Sequence, residues 1–429
     1  MDEKFKALKE YNFWDGNMPY LGIPRVAYTE KIFDFVGNKL VKVLVGQRRV
    51  GKSYILRQIA FRLMQENVPA QNILYINKEF IDFDFISDYK ILHELVKLYE
   101  DTVKPQGKVY LFIDEIQGIE GWEHFVNSYS QDFTKNYEIF ITGSNSKLLS
   151  GEMATLLSGR YVKFEIFPFS YQEYLQIKEV DNSKAEYMQY LQTGGLPELF
   201  ILPNNDAKRN YISSIKDSVL LRDIIQRYNI KDTKLLEDIF VYLVNNASNL
   251  LNNASNLLSI TNIVNFFSSR KRKTTYDTIA NYIGFIEEAF LIHKAERYNI
   301  RGKETMSGTA KYYINDLSFK NYLYPGFAYG IGYELENLVF LALKRKGYAV
   351  YVGNDRGKEI DFVAIKEDRV IYIQSTYLLL EPQTIEREYA PLLSINDSYE
   401  KYVVSLDDVT FPSKEGVKHI QAWLLDDIL

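Results

Sequence analysis

Gly46, Gln47, Arg48, Arg49, Val50, Gly51, Lys52 and Ser53 follow the order of a phosphate-cradling loop, two glycines with four residues between them and then Lys-Ser. Gly46 and Gly51 let the backbone curl so that successive N–H groups face a phosphate at a helix N-terminus, where the dipole also favours negative charge. Lys52 is spaced to reach the β- and γ-phosphates of ATP and Ser53 to ligate magnesium, with Tyr54 the last residue of the expected nucleotide contact. The chemistry implied is binding and hydrolysis of ATP with magnesium.

Hydrolysis also needs a carboxylate on the magnesium side and another to orient water. Val109 to Glu115 is an apolar run ending in paired acids, which places Asp114 beside magnesium and makes Glu115 the candidate base. A third apolar run, Tyr137 to Thr142, leads into Gly143, Ser144, Asn145 and Ser146. Asn145 or Thr142 is then positioned to orient the attacking water or to report the γ-phosphate. Further on, Leu157, Ser158, Gly159 and Arg160 offer an arginine that either neutralises transition-state charge, from this chain or a neighbour, or forms a surface salt bridge.

These residues need a scaffold. Leu40 to Val45 is a short β-branched run expected as a buried strand, and Lys52 to Gln65 carries apolar residues at helical spacing. Strand, glycine loop and helix, followed by strands ending in carboxylates, describe an α/β fold with a parallel sheet whose strand ends open on the ligand crevice.

Together these motifs, with Ile116 and Gln117 after the acids and Gly121, Trp122 and Glu123 beyond, resemble a prokaryotic AAA-type ATPase family. The resemblance runs over nearly the whole chain from about Asn17. It implies an AAA-type module, a helical and winged-helix region, and a C-terminal domain similar to restriction-endonuclease-like folds.

Composition agrees with a globular ATPase: 429 residues, 46% hydrophobic and 25% charged, enough for several cores. The absence of cysteine excludes disulfides, zinc–thiolate sites and thiol catalysis. His93, His124, His293 and His419 show no ligand spacing. No stretch approaches bilayer length and the first residues are too charged for a secretory signal, so a cytoplasmic protein without a membrane partner is expected. A net charge of −5 argues against a chain that coats nucleic acid over its whole surface.

Four regions are expected: an ATPase domain over 11–169, a helical lid or linker over 170–231, a winged-helix-like domain over 232–316, and the nuclease-like domain over 317–429. Thr274 or Thr275 is expected to cap a helix bearing Ile279, Tyr282, Ile283, Ile286 and Phe290. Arg270, Lys271, Arg272 and Lys273 just before it form a run that contacts DNA phosphates or is simply solvated, since winged helices also dock proteins. Residues 245–251 are repeated at once as 252–258, a heptad duplication that a helix absorbs with little rotation of its apolar face. Oligomeric state is left open.

In the C-terminal region a helix over Gly332 to Lys346 precedes strands over Tyr348 to Gly353, Glu359 to Ile365 and Val370 to Thr376. A helix from Gln383 to Ser394 and a strand from Tyr402 to Leu406 follow. The resemblance implies a metal site built from a helix glutamate, a strand aspartate and a Glu-x-Lys. Glu336 and Asp361 fit the first two positions, but the third reads Gln374, Ser375, Thr376 and lacks both acid and lysine. The domain is therefore expected to bind a protein or nucleic acid without cutting it, with an atypical nuclease as the alternative.

Overall fold

The computed structural model describes residues 3–16, 19–149, 156–157, 159–246, 259–325 and 330–429. Two compact units meet in sequence between Ile166 and Phe167.

The first unit opens with helices α1 (Glu3–Tyr11) and α2 (Val26–Phe33). Strand and helix then alternate: β1 (Val41–Val45), α3 (Lys52–Gln65), β2 (Ile73–Asn77), α4 (Tyr89–Val103), β3 (Val109–Asp114), α5 (Trp122–Gln131), β4 (Tyr137–Gly143) and β5 (Tyr161–Glu165). The five strands form one parallel sheet in the order β2-β3-β4-β1-β5, the arrangement of the P-loop AAA fold. Every residue of β1 to β4 is buried, as expected where helices cover both faces. Helix α3 buries Ile55, Leu56, Ile59, Ala60 and Leu63, three or four residues apart on one stripe.

Lys42 and Glu138, charges inside β1 and β4, pair with each other in the interior, and Lys108 joins Glu138 at 3.0 Å. The edge strand β2 is covered by side chains. Asn12 accepts from the Tyr75 N–H at 2.7 Å and donates to its carbonyl at 3.0 Å, and the Trp14 indole donates to the Ile73 carbonyl at 2.9 Å. That blunts an edge which otherwise invites another strand.

The second unit begins with helices α6 (Tyr171–Lys178), α7 (Lys184–Thr193) and α8 (Asn205–Ser218), the last running into a π-helical stretch (Val219–Gln226). Helices α9 (Thr233–Asn246), α10 (Ile260–Ser269) and α11 (Tyr276–Glu288) precede the antiparallel hairpin of β6 (Ile292–Asn299) and β7 (Glu304–Ile314). Of the two candidate caps, Thr275 accepts from the Thr278 N–H at 3.2 Å. Ile279, Tyr282, Ile283 and Ile286 are buried on α11, while Phe290 is buried just beyond its end. Of the tandem repeat, residues 247–258 lie outside the described residues.

Helices α12 (Ser318–Leu323) and α13 (Ile331–Arg345) then lead into β8 (Ala349–Asp355), β9 (Lys358–Lys366) and β10 (Arg369–Ser375). Helix α14 (Pro382–Leu393), strands β11 (Glu400–Ser405) and β12 (Val417–Gln421) and a short 3-10 helix (Ala422–Asp427) follow. The strands form one mixed seven-stranded sheet, β12-β11-β10-β9-β8-β6-β7. The hairpin therefore shares a sheet with the C-terminal strands, and the boundary expected at residue 316 falls inside that sheet. The link is local, since β6 pairs with β8 only over Arg297–Asn299 with Val352–Asn354. Three-residue pairing across a long sequence gap leaves no periodic signal, which is why the hairpin reads as separate in the sequence.

Candidate nucleotide site

The expected loop lies between the C-terminal end of β1 and the first turn of α3. Gly46 has φ +152° and a Cβ there would sit 2.3 Å from the Ile166 carbonyl oxygen, so no other residue fits. Gly51, the residue before α3, has φ +96°, and Arg49 also adopts positive φ, at 71°. Gln47 and Val50 are fully buried, Arg48 pairs with Glu79 at 2.6 Å, and Ser53 and Tyr54 are half-buried on the first turn. Arg25, which sequence reasoning passed over, is 2% exposed and donates to the Val50 carbonyl at 3.0 Å, bracing the loop from behind.

Lys52 is buried and donates to the carbonyls of Gly46 and Gln47 at 3.0 and 3.1 Å. Its ammonium also lies 3.8 Å from Glu115 Oε1. The three groups of the expected chemistry thus converge, because β1, β3 and β4 run parallel and deliver their C-terminal ends to one side.

Asp114 is completely buried and held by three donors: Tyr75 OH at 2.8 Å, Asn77 Nδ2 at 3.1 Å and Thr142 Oγ1 at 2.5 Å. The same Thr142 hydroxyl accepts from the Glu115 N–H at 2.9 Å. Thr142 therefore holds both acids directly, Asp114 by its carboxylate and Glu115 by its backbone. Glu115 adopts positive φ, 54°, a conformation that turns its side chain away from the strand path. Burial pushes its carboxyl pKa up and the nearby Lys52 charge opposes that shift. Gln117 Nε2 donates to Glu115 Oε2 at 2.5 Å and lies 3.4 Å from Ser144 Oγ, tying the acid to the end of β4. Asn145 is buried at that strand end, next to Ser144.

Tyr75, Asn77 and Gln117 had no assigned role in the sequence. Asn77 carries a usable signal, a polar residue ending an apolar run just as Asp114 does on the adjacent strand, whereas Tyr75 inside the run carries none.

Comparison with known proteins gives the chain a family. An uncharacterized protein of Haemophilus influenzae is 36% identical over 94% of this chain and 98% of its own length. An uncharacterized protein of Methanocaldococcus jannaschii is 32% identical over 87% of this chain and 81% of its own. The chain belongs to their family. Its residues 38–175 match the family model described as an AAA domain, and residues 184–329 match a domain of unknown function, DUF8612. Among solved structures, the RuvB Holliday junction branch migration motor of Thermotoga maritima matches at 15% identity and TM-score 0.32, covering 66% of this chain and 93% of that one. The Aeropyrum pernix ORC1 protein in complex with DNA matches at 12% identity and TM-score 0.32, covering 74% and 97%.

Not every expected residue joins the AAA-domain site. The Arg160 carbonyl accepts from the Val41 N–H at 2.9 Å, at the start of β1, and its exposed guanidinium lies 3.4 Å from Asn127 Oδ1. The loop is at the other end of β1, about 16 Å away at ~3.3 Å per residue. Arg160 is thus not brought to the loop in this structure, a distance that sequence spacing cannot reveal.

In the second unit of this family member, the expected acidic positions come together with unexpected partners. Glu336 on α13 and Asp361 on β9 surround Lys311 of β7, whose ammonium lies 3.0 Å from Glu336, 2.8 Å from Glu359 and 3.8 Å from Asp361. The third position itself lacks a lysine, as its sequence reads, and the lysine found here comes from a different strand, 63 residues before Gln374. The Gln374 side chain accepts from the Asp361 N–H at 3.3 Å, and the Thr376 backbone N–H donates to the Val404 carbonyl at 3.0 Å.

In the basic run, Arg272 is spent on Asp232 and Asp238 at 2.7 and 2.9 Å, while Arg270, Lys271 and Lys273 are exposed. Among the described residues no helix is long and apolar enough to cross a membrane.

Proposed function

We propose that this protein is a magnesium-dependent ATPase whose nucleotide state sets the conformation of its C-terminal binding unit. The observation that carries the reading is the convergence of Lys52, Asp114 and Glu115 on one end of a parallel sheet, with Lys52 3.8 Å from Glu115. The site's donor set fits ATP: backbone N–H groups of residues 46–53 and a lysine for the phosphates, with Ser53 and Asp114 to hold magnesium. Magnesium would supply charge neutralisation at the phosphates.

The remaining work falls to the chain itself. Lys52 now bonds the loop's own carbonyls, and exchanging them for phosphate oxygens replaces neutral acceptors by charged ones. Glu115, with its pKa raised by burial, is suited to hold the proton of an attacking water. Thr142 keeps Asp114 and Glu115 in register, and Asn145, buried at the end of β4, is assigned to sensing the γ-phosphate. Arg160 fits a role in a neighbouring subunit.

A second reading, an ATP-gated binding module with slow turnover, is favoured by one observation. Glu115 is bonded to Gln117 and faces Lys52, so the base is occupied in this conformation. In both readings the second unit binds DNA or a protein without cleaving it, through exposed Arg270, Lys271 and Lys273 if the partner is DNA.

Steady-state magnesium-ATP hydrolysis by wild type, Lys52→Ala and Glu115→Gln, with and without double-stranded DNA, tests the proposal. Turnover lost in Glu115→Gln with ATP binding retained supports the ATPase. Tight binding with turnover below about one per minute in wild type supports the gated module. Full turnover by Lys52→Ala refutes both.

A further inference from the structure

The most heavily charged interior of the second unit lies where β7, α13 and β9 meet. Glu336, Glu359 and Asp361 turn carboxylate oxygens toward one ammonium, that of Lys311, whose side chain is 0% exposed. Tyr313 OH donates to the same Glu336 oxygen at 2.7 Å. The far oxygen of Asp361 takes the N–H and hydroxyl of Ser375 at 2.8 and 3.0 Å. Glu336 and Asp361 are therefore held from outside, independently of the lysine.

Several oxygens held around one point is what a hard divalent cation requires, and an ammonium is also a compact cation, one that donates hydrogen bonds. Three acids around a single positive charge leave the cluster short of cation. Burial alone would lower the Lys311 pKa, but the charges of Glu336, Asp361 and Glu359 raise it instead, so the lysine stays charged. A lysine that stays charged in a closed cluster is neither a nucleophile nor a base.

We propose that the Lys311 ammonium is a tethered replacement for a divalent cation, seated among Glu336, Glu359 and Asp361, so that the C-terminal unit works without metal and becomes a divalent-cation site when the lysine is removed. The inference deepens the reading of this unit as non-cleaving. Because the full chain is titrated without nucleotide, its failure would leave the ATPase reading untouched.

The experiment is a manganese(II) titration of the full chain without nucleotide, followed by the electron paramagnetic resonance of free manganese and by thermal denaturation. Wild type should bind no manganese below ~1 mM at this cluster, whereas Lys311→Ala should gain one site of about 10–100 µM, lost again in Lys311→Ala with Asp361→Asn. The melting temperature of Lys311→Ala should fall, and manganese but not sodium chloride should restore it. A variant that folds only with manganese meets the same expectation. Three results overturn the proposal: a wild-type site abolished by Asp361→Asn, a folded Lys311→Ala that binds no more manganese than wild type, or a variant that stays unfolded in manganese.

Discussion

Replacing Thr142 by valine removes one hydroxyl at nearly constant volume and breaks two hydrogen bonds at the centre of the nucleotide site. The Glu115 N–H, which donates to Thr142 at 2.9 Å, is left buried with no acceptor there. Asp114 loses its 2.5 Å donor and keeps Tyr75 and Asn77. An orphaned buried N–H costs about 1–3 kcal/mol and a lost bond to a carboxylate about 1.5–3 kcal/mol. The two are not additive, because they share one atom, so we expect a net loss near 3 kcal/mol. For a unit of this size each kcal/mol lowers the melting temperature by roughly 2–4 °C, which gives a fall of about 6–12 °C.

The same change frees Glu115 from the anchor that holds its positive-φ backbone. ATP turnover should therefore drop at least about tenfold, while binding of a non-hydrolysable analogue, which depends on Lys52 and the loop, changes less than about threefold. Differential scanning calorimetry reads the first effect, and steady-state hydrolysis with analogue titration reads the second. Thr142→Ser keeps the hydroxyl and should recover most of both. A Thr142→Val protein with wild-type melting temperature and turnover would refute the assignment of Thr142 as the residue that positions the two acids.

Gly46→Ala places a methyl 2.3 Å from the Ile166 carbonyl oxygen at φ +152°, so we expect loss of several kcal/mol and of ATP binding, measured by melting and isothermal titration. Asp361 keeps its proton in the folded chain up to about pH 8, against an ordinary value of 3.8, so the folded state holds one more proton than the unfolded chain between those limits. Stability should consequently fall as pH rises from about 4 to about 8, by at most ~1.4 kcal/mol per unit for this proton, and Asp361→Asn should flatten that slope in urea denaturation. Arg160→Ala should leave analogue binding unchanged. A tenfold loss of turnover with it, rescued by mixing with Lys52→Ala subunits, would place the guanidinium in a neighbour's site.

Much of the first unit could be read directly from the chain. Lys52–Gln65 was expected as a helix and is one, and the expected runs Leu40–Val45, Val109–Glu115 and Tyr137–Thr142 match, to within a residue at either end, the strands that carry the site. These are local matters: a glycine needed for positive φ, a buried parallel strand written as an unbroken apolar run, and a helix stripe each leave their mark within a few residues. The seven-stranded sheet escaped in part, because β12 is short and the β6 to β8 pairing spans three residues.

What the sequence alone determined about this protein is therefore the identity of the phosphate loop, the acids that follow it and the α/β elements that present them. Tertiary structure decided which of those groups meet. It put Tyr75, Asn77 and Thr142 on Asp114, left Arg160 at the far end of β1, and brought Lys311 into an acidic cluster built from another helix and strand. The physical reason is range. Backbone conformation and burial pattern are set by neighbours in the chain, whereas the partner of a buried charge is set by whichever strand the sheet places beside it, at any distance in sequence.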